Sequence, residues 1–355
     1  MDDYAYFNAR LRAMQSRLLN RERYDDLLAQ DTTAGIVENL KDSPYADALE
    51  RVAAAPHTGV RLAPTSRLDE ALRWDLTGTL SKLRRLVSDR IRELLEALLF
   101  RWDAYNVKTV VRGKRAAAPI EDVLAATFPV GILDEIALAE LSRAPTLEAV
   151  ADTLATWRIP LARPLREGLK RLGEPESLQA AEFELDRFVF AHAFEVATDG
   201  DDNDAVVRRY VRLIADRTNL STALRFLAER SPLSPLEAVH HFIDAGGRLT
   251  RSHYEALVGA RDLQQGLSLL TDGPFAWLPG DVGVAERLSL PFIERRLDRW
   301  MIRQAYGLAR PEPLGIGLAI VYVERKINEV RNLRMIMRGK ALGMGRETIE
   351  EWLII

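Results

Sequence analysis

The sequence predicts an all-α protein made of three similar helical domains, and two observations carry the prediction. Apolar residues recur at helical spacing along most of the chain, and no stretch alternates apolar and polar residues in a strand-like way. A local pattern built on a scarce residue, asparagine, also returns three times at a fixed interval.

Along the chain, Tyr4, Phe7, Leu11, Met14 and Leu18 follow steps of three and four, which is one apolar stripe on a helix. Leu80, Leu83, Val87, Ile91, Leu94 and Leu98 repeat that spacing. No proline falls between Pro64 and Pro119, so one long helix from about Leu76 to Val111, straight or bent, is allowed. Further helices fit Ala180–Ala197, Asp204–Ala228, Leu290–Leu308 and Leu314–Ala341. The acidic run Asp199 to Asp204 resembles half of a calcium loop but has no matching glycine and terminal glutamate, so it reads as a turn with Asp204 as the helix cap.

Composition narrows the class. With 355 residues, 47% apolar and 28% charged, the chain has the make-up of a soluble globular protein of two or three domains. The absence of cysteine excludes disulfides, a thiol nucleophile and cysteine-ligated metals. A net charge of -3 argues against a surface that coats nucleic acid. The amino terminus reads Met-Asp-Asp-Tyr, without the basic and apolar regions of a signal peptide. The longest strongly apolar run, Leu314 to Val323, is ten residues, about half of what a membrane span needs. The expectation is a cytoplasmic protein that does not itself cross a bilayer.

The repeat is the most informative feature. Only eight asparagines occur, and three share one setting: Asp103, Asn106, Val107, Val111, Arg112; then Asp216, Asn219, Leu220, Leu224, Arg225; then Glu329, Asn332, Leu333, Met337, Arg338. Each reads acid, Asn at +3, apolar at +4 and +8, and Arg at +9, and successive copies are 113 residues apart. Pro119 and Pro232 keep the same interval, and the pairs Leu68-Asp69, Leu185-Asp186 and Leu297-Asp298 precede the three acids by 34, 30 and 31 residues. A unit of this length is too long for a helical solenoid repeat and long enough for its own core. The units are placed near 1–118, 119–231 and 232–355. On a helix the acid, the Asn and the apolar positions share one side, and the Arg points away. Asparagine is a poor helix former, so its use three times in mid-helix implies a buried, hydrogen-bonded Asn that fixes register, with the acid bonded to a neighbouring helix. The Arg side is left for a partner surface.

Three stretches carry a resemblance. They are Arg101-Trp-Asp-Ala-Tyr-Asn-Val-Lys-Thr-Val-Val-Arg-Gly-Lys114, Glu329-Val-Arg-Asn-Leu-Arg-Met-Ile-Met-Arg-Gly-Lys340 and Tyr4-Ala-Tyr-Phe-Asn-Ala-Arg-Leu-Arg-Ala-Met14. Together they resemble the C subunits of prokaryotic V-type (A-type) rotary ATPases, a family similar to the d subunits of the eukaryotic vacuolar enzyme. The middle copy departs from the pattern, since Arg225 is followed by Phe226-Leu227 where the others have Gly-Lys. The resemblance implies a pseudo-threefold funnel of three helical domains, seated on the cytoplasmic side of a membrane proteolipid rotor ring. It implies a central shaft entering the funnel and a role in coupling that shaft to the ring, for ion transport linked to ATP synthesis or hydrolysis. It implies no catalytic site and no cofactor.

The segment Glu324–Arg346 holds seven basic residues against two acids. Arg331, Arg334, Arg338 and Lys340 are the candidate partner-binding residues there. A solvated face with local ion pairs is one reading. A site for the ring's polar loops, an acidic shaft or anionic lipid heads is the other. Catalytic constellations are missing: no phosphate-binding loop or nucleophile elbow occurs. Gly315-Ile-Gly317 lacks the third glycine of a dinucleotide fingerprint and reads as the close-packed start of a helix. His240 and His241 diverge by about 100° on a helix and make a poor metal pair. The alternative to a rotary-ATPase subunit is a helical interaction scaffold of an unrelated soluble assembly.

Overall fold

A computed structural model of the chain describes residues 2–54, 63–87, 89–170, 177–198, 200–228, 234–282, 288–310 and 314–355. Among the described residues every regular element is an α-helix and there is no strand. Three times over, short helices are followed by two long ones. The first series is α1 (Asp2–Gln15), α2 (Arg21–Leu28), α3 (Thr33–Leu40) and α4 (Ala46–Ala54), then α5 (Pro64–Arg85) and α6 (Asp89–Arg115). The second is α7 (Ile120–Ala125), α8 (Glu135–Arg143), α9 (Leu147–Thr156) and α10 (Ala162–Leu169), then α11 (Ser177–Val196) and α12 (Asp202–Ala228). The third is α13 (Pro235–Val239), α14 (Arg251–Val258), α15 (Leu263–Ser268) and α16 (Trp277–Val282), then α17 (Leu290–Ala309) and α18 (Gly317–Ala341); α19 (Arg346–Trp352) follows.

The chain forms two compact units. One is Met1–Val150 with Leu318–Ile355, and the other is Ala151–Gly317. In the first, Leu68, Leu72, Leu80 and Leu83 of α5 and Leu94, Val107 and Val110 of α6 are buried in the core. In the second, α12 packs along α17, burying Val207, Leu220 and Leu224 with Ile293 and Leu297. There α10 also lies on α11, and Gly168 makes room for the Ala181 backbone, where a side chain would collide.

Helices this short are marginal alone, so their starts are capped. Asn20, Asp134 and Thr250 accept the backbone N–H of Arg23, Ala137 and His253 at the heads of α2, α8 and α14. Thr32, Thr146 and Asp262 do the same for the next helix of each series.

Three sequence expectations need correction. The long helix over 76–111 is broken: α5 ends at Arg85, and the Leu86 N–H turns back to the Lys82 and Leu83 carbonyls. The freed Val87 carbonyl accepts two N–H bonds from the Arg92 guanidinium. Val87 and Ile91 stay buried on either side, so the apolar spacing runs unbroken through a break in the backbone. Asp204 is not the cap of α12. Asp201 accepts the N–H groups of Asn203 and Asp204, while Asp204 is buried and accepts from Gly200. Finally, α18 starts at Gly317, three residues later than expected. The Ile316 N–H is held by the Asn203 side chain, and a methyl group at Gly317 would press on Ala309 and Leu308, so the expected close packing is present. His57, Asp199, Pro232, Pro311, Pro313 and the proposed division at 231–232 lie outside the described residues. Among the described residues no helix is long and apolar enough to cross a membrane.

Candidate functional site

The three repeat motifs lie on the long helices α6, α12 and α18, and each forms the same joint with a loop. Asn106 donates to the Phe128 carbonyl at 2.7 Å and accepts the Phe128 N–H at 2.8 Å. Asn219 holds Ile243 by the same two bonds at 2.9 Å, and Asn332 holds Ile354 at 2.8 and 3.2 Å. A side-chain amide offers donor and acceptor side by side without a charge, which explains asparagine at a helical position it disfavours. All three are buried. Replacing Asn332 by leucine leaves the buried N–H of Ile354 unpaired and its carbonyl with the Asn328 side chain alone. The expected loss is about 1–3 kcal/mol in denaturant unfolding; a change within error contradicts the joint.

The motif acids grip the same loops further on, at backbone N–H groups and not at the neighbouring helix that the sequence implies. Asp103 accepts the N–H groups of Ile132 and Leu133 at 3.0 and 2.9 Å, one on each oxygen. Asp216 accepts those of Arg248 and Leu249, both at 2.9 Å. In each loop a glycine, Gly131 or Gly247, sits so close that a Cβ would run into the carboxylate. Each grip ends directly on a helix cap, Asp134 or Thr250, so acid, glycine, leucine and cap form one device. These glycines are not singled out by the repeat pattern. Leu19, Leu133 and Leu249 lie 114 and 116 residues apart, off the motif interval, but Gly-x-Leu before a capping residue is a signal within reach of the sequence.

The third joint differs. Glu329 accepts the N–H of Leu19, which is 310 positions away, and a 2.6 Å bond from the Tyr45 hydroxyl. Leu19 again stands just before a cap, Asn20. Glu329 is one methylene longer than the two aspartates, and Arg17 stands at the sequence position of the glycine. Lys326, only 4% exposed, adds to this joint. Its ammonium lies 2.7 Å from Asp75, 3.0 Å from Glu329 and 3.0 Å from the Tyr45 hydroxyl, and 4.4 Å above the centre of the Tyr45 ring. Nothing in the sequence marks Tyr45, Asp75 and Lys326 as a group, because they are remote from one another in the chain.

Electrostatics follow from burial. Desolvation pushes the Asp103 carboxyl up to about 7, against the pull of the Leu133 and Ile132 N–H groups and Arg84. Asp216 is raised for the same reason. Burial disfavours the Lys326 cation, but the Glu329 and Asp75 carboxylates more than reverse this and raise it. Burial, with the Glu329 and Asp75 charges, holds the Tyr45 phenol well above its ordinary value. A carboxyl raised from ~3.9 in the unfolded chain to about 7 in the fold binds its proton more tightly when folded. Its contribution to stability therefore falls as pH rises between those values, by at most about 1.4 kcal/mol per unit. Asp103→Asn removes this slope. The stability advantage of the unsubstituted protein over the variant is expected to shrink between pH 5 and 7, measured by urea midpoints; a constant difference contradicts the assignment.

The arginines at +9 do point outward. Arg112 is exposed, Arg225 pairs with Glu294, and Arg338 lies 3.6 Å from Asp69. The other candidates divide. Arg334 bonds Asp69 at 3.0 Å and lies over the Phe128 ring, Arg331 is exposed, and Lys340 is half-buried. The Leu-Asp pairs supply counter-ions, Asp69 for α18 and Asp298 for Arg217 of α12 at 2.7 Å. The glycine after the motif Arg also has a use. At Gly113 and Gly339 the following short helix crosses so closely that Val123 and Ile349 fill the space of a side chain. Lys114 then donates to the Ser142 and Ala144 carbonyls at the end of α8. Three of the described histidines sit in ordinary packing: His192 stacks on Phe188, His241 meets Phe183 edge-on, and His253 lies 2.7 Å from the Thr250 hydroxyl.

The joints fasten long helices to loops and, through Lys326 and Asp75, to one another, in an all-α protein. The chain belongs to the family described as ATP synthase (C/AC39) subunit, whose profile matches residues 7–352, and is thus a subunit of an A/V-type ATP synthase. It is similar to the A-type ATP synthase C subunit of Methanosarcina mazei, 29% identical over 99% of this chain and 93% of the relative. It is also similar to its counterpart in Pyrococcus abyssi, 27% identical over 98% of this chain and 89% of the relative.

Proposed function

We propose that this chain is the non-catalytic central-stalk subunit that seats the rotating shaft on the membrane proteolipid ring. The reading takes three domains, near 1–118, 119–231 and 232–355, arranged as a funnel about a pseudo-threefold axis on the inner face of the cell membrane. The observation that carries it is the joint made three times over, at Asn106, Asn219 and Asn332. A socket between a shaft and a symmetric ring needs stiffness and repeated surfaces, and no reactive group. Each joint ties a long helix to a loop or to the chain end, which is where torque would otherwise bend the molecule. Arg331, Arg334 and Arg338 put a cationic face on α18, with Lys340 on its other side, for the polar loops of the ring, the shaft or anionic lipid heads. The test is direct mixing. Purified chain and detergent-solubilised proteolipid ring from the same cells are expected to co-elute on size exclusion, and separate elution at micromolar concentrations overturns the reading.

A further inference from the structure

Two of the three joints are closed locally. Phe128, held by Asn106, is five residues from Leu133, held by Asp103; Ile243, held by Asn219, is six from Leu249, held by Asp216. If such a grip breaks, a short loop pinned at both ends recloses with little entropy to overcome. The third joint has no such tether, because Ile354, held by Asn332, and Leu19, held by Glu329, lie at opposite ends of the sequence.

Charge is concentrated along this same line. Besides Leu19 and Tyr45 on Glu329, and Asp75 on Lys326, Asp69 meets Arg334 and Arg338, Asp25 meets Arg346 at 3.0 Å, and Arg21 pairs with Glu350. At the motif interval, Phe100 and Leu213 stand where α18 has Lys326, so the buried ionic cluster is particular to the third copy. We propose that this line is a reversible seam: the segment 2–85 parts from α18 and α19 here while the other two joints stay closed, and the Lys326–Glu329–Asp75–Tyr45 cluster is the clasp that stands in for the missing loop.

A clasp of this kind opens all at once. Its buried charges lose one another and must be hydrated together, whereas the outer pairs at Asp25, Asp69 and Glu350 are half exposed and are weakened by salt. The seam lies within the first unit, and it uses the very cations that the sequence offers to a partner.

Hydrogen exchange on the full-length protein tests this with two internal controls. The amide of Leu19 is expected to exchange at least about tenfold faster than those of Leu133 and Leu249, its counterparts in the closed joints, and to quicken further from 50 to 500 mM salt. Lys326→Met should speed exchange at Leu19 and around Tyr45 by a larger factor than at Leu133 and Leu249. Asp69→Asn, a change at the outer edge of the seam, serves the same purpose if the first variant does not fold. Equal protection at the three leucines, or equal acceleration of all three in the variants, shows that only global opening occurs and overturns the proposal.

Discussion

Lys326→Met destabilises the protein by about 3–5 kcal/mol, the largest effect expected of any single substitution in α18. The ammonium is the shared counter-ion of two carboxylates, Asp75 at 2.7 Å and Glu329 at 3.0 Å, and it also donates to the Tyr45 hydroxyl. Methionine matches the length and apolar bulk of the lysine stem, so packing is nearly conserved and the loss is electrostatic. It leaves two acids facing each other in a site where Glu329 is 3% exposed. Lys340→Met, a change of the same chemistry fourteen residues along the helix, should stay within about 0.5 kcal/mol. Urea unfolding of both variants checks the pair, and similar losses from the two contradict the buried cluster.

Gly247→Ala comes next, with an expected loss of about 2–3 kcal/mol. The glycine backbone lies against the Asp216 carboxylate, where a methyl group has no room. To admit it the loop must back away, and the two charge-assisted bonds to Arg248 and Leu249 lengthen together. Gly131→Ala should behave alike at Asp103. Gly78, in the interior of α5 with nothing near its missing side chain, predicts the opposite sign: Gly78→Ala should stabilise by about 0.5–1 kcal/mol, since helical glycine costs entropy without a packing return. Thermal melts of the three variants separate a glycine required by close approach from one merely tolerated.

These contrasts show what can be read from the sequence and what cannot. Helix positions are legible because the apolar spacing is local, and the Asn motif is legible because its members lie within one helix. The break between α5 and α6 is not, because Val87 and Ile91 keep the buried stripe continuous while the backbone turns. Asp204 looks like a cap because a carboxylate ahead of an apolar run is the usual sign, and Asp201 sits three residues earlier with the same chemistry. The role of the motif acid is half legible: burial follows from the helix face, but its loop partners carry no mark in the motif itself. The basic segment misleads in one respect. Counting charge along α18 places Lys326 with the surface cations, yet it is the most buried of them, and Arg334 and Arg338 share Asp69, some 265 residues away. Pairings at that distance are set by how helices pack, which one sequence does not display.

The joints at Asn106, Asn219 and Asn332 make the same physical point three times. A helix carries load to its neighbour only if the intervening segment does not give. Each joint here fastens backbone at two places, so the fastening does not depend on the side chains of the segment it holds.

The most direct test is affinity purification of the tagged chain from gently solubilised native membranes, with its partners identified by mass spectrometry. Recovery of a small proteolipid together with head and shaft subunits of an ATP synthase is the predicted result. Recovery of the chain by itself, or with soluble proteins unrelated to that enzyme, would contradict it.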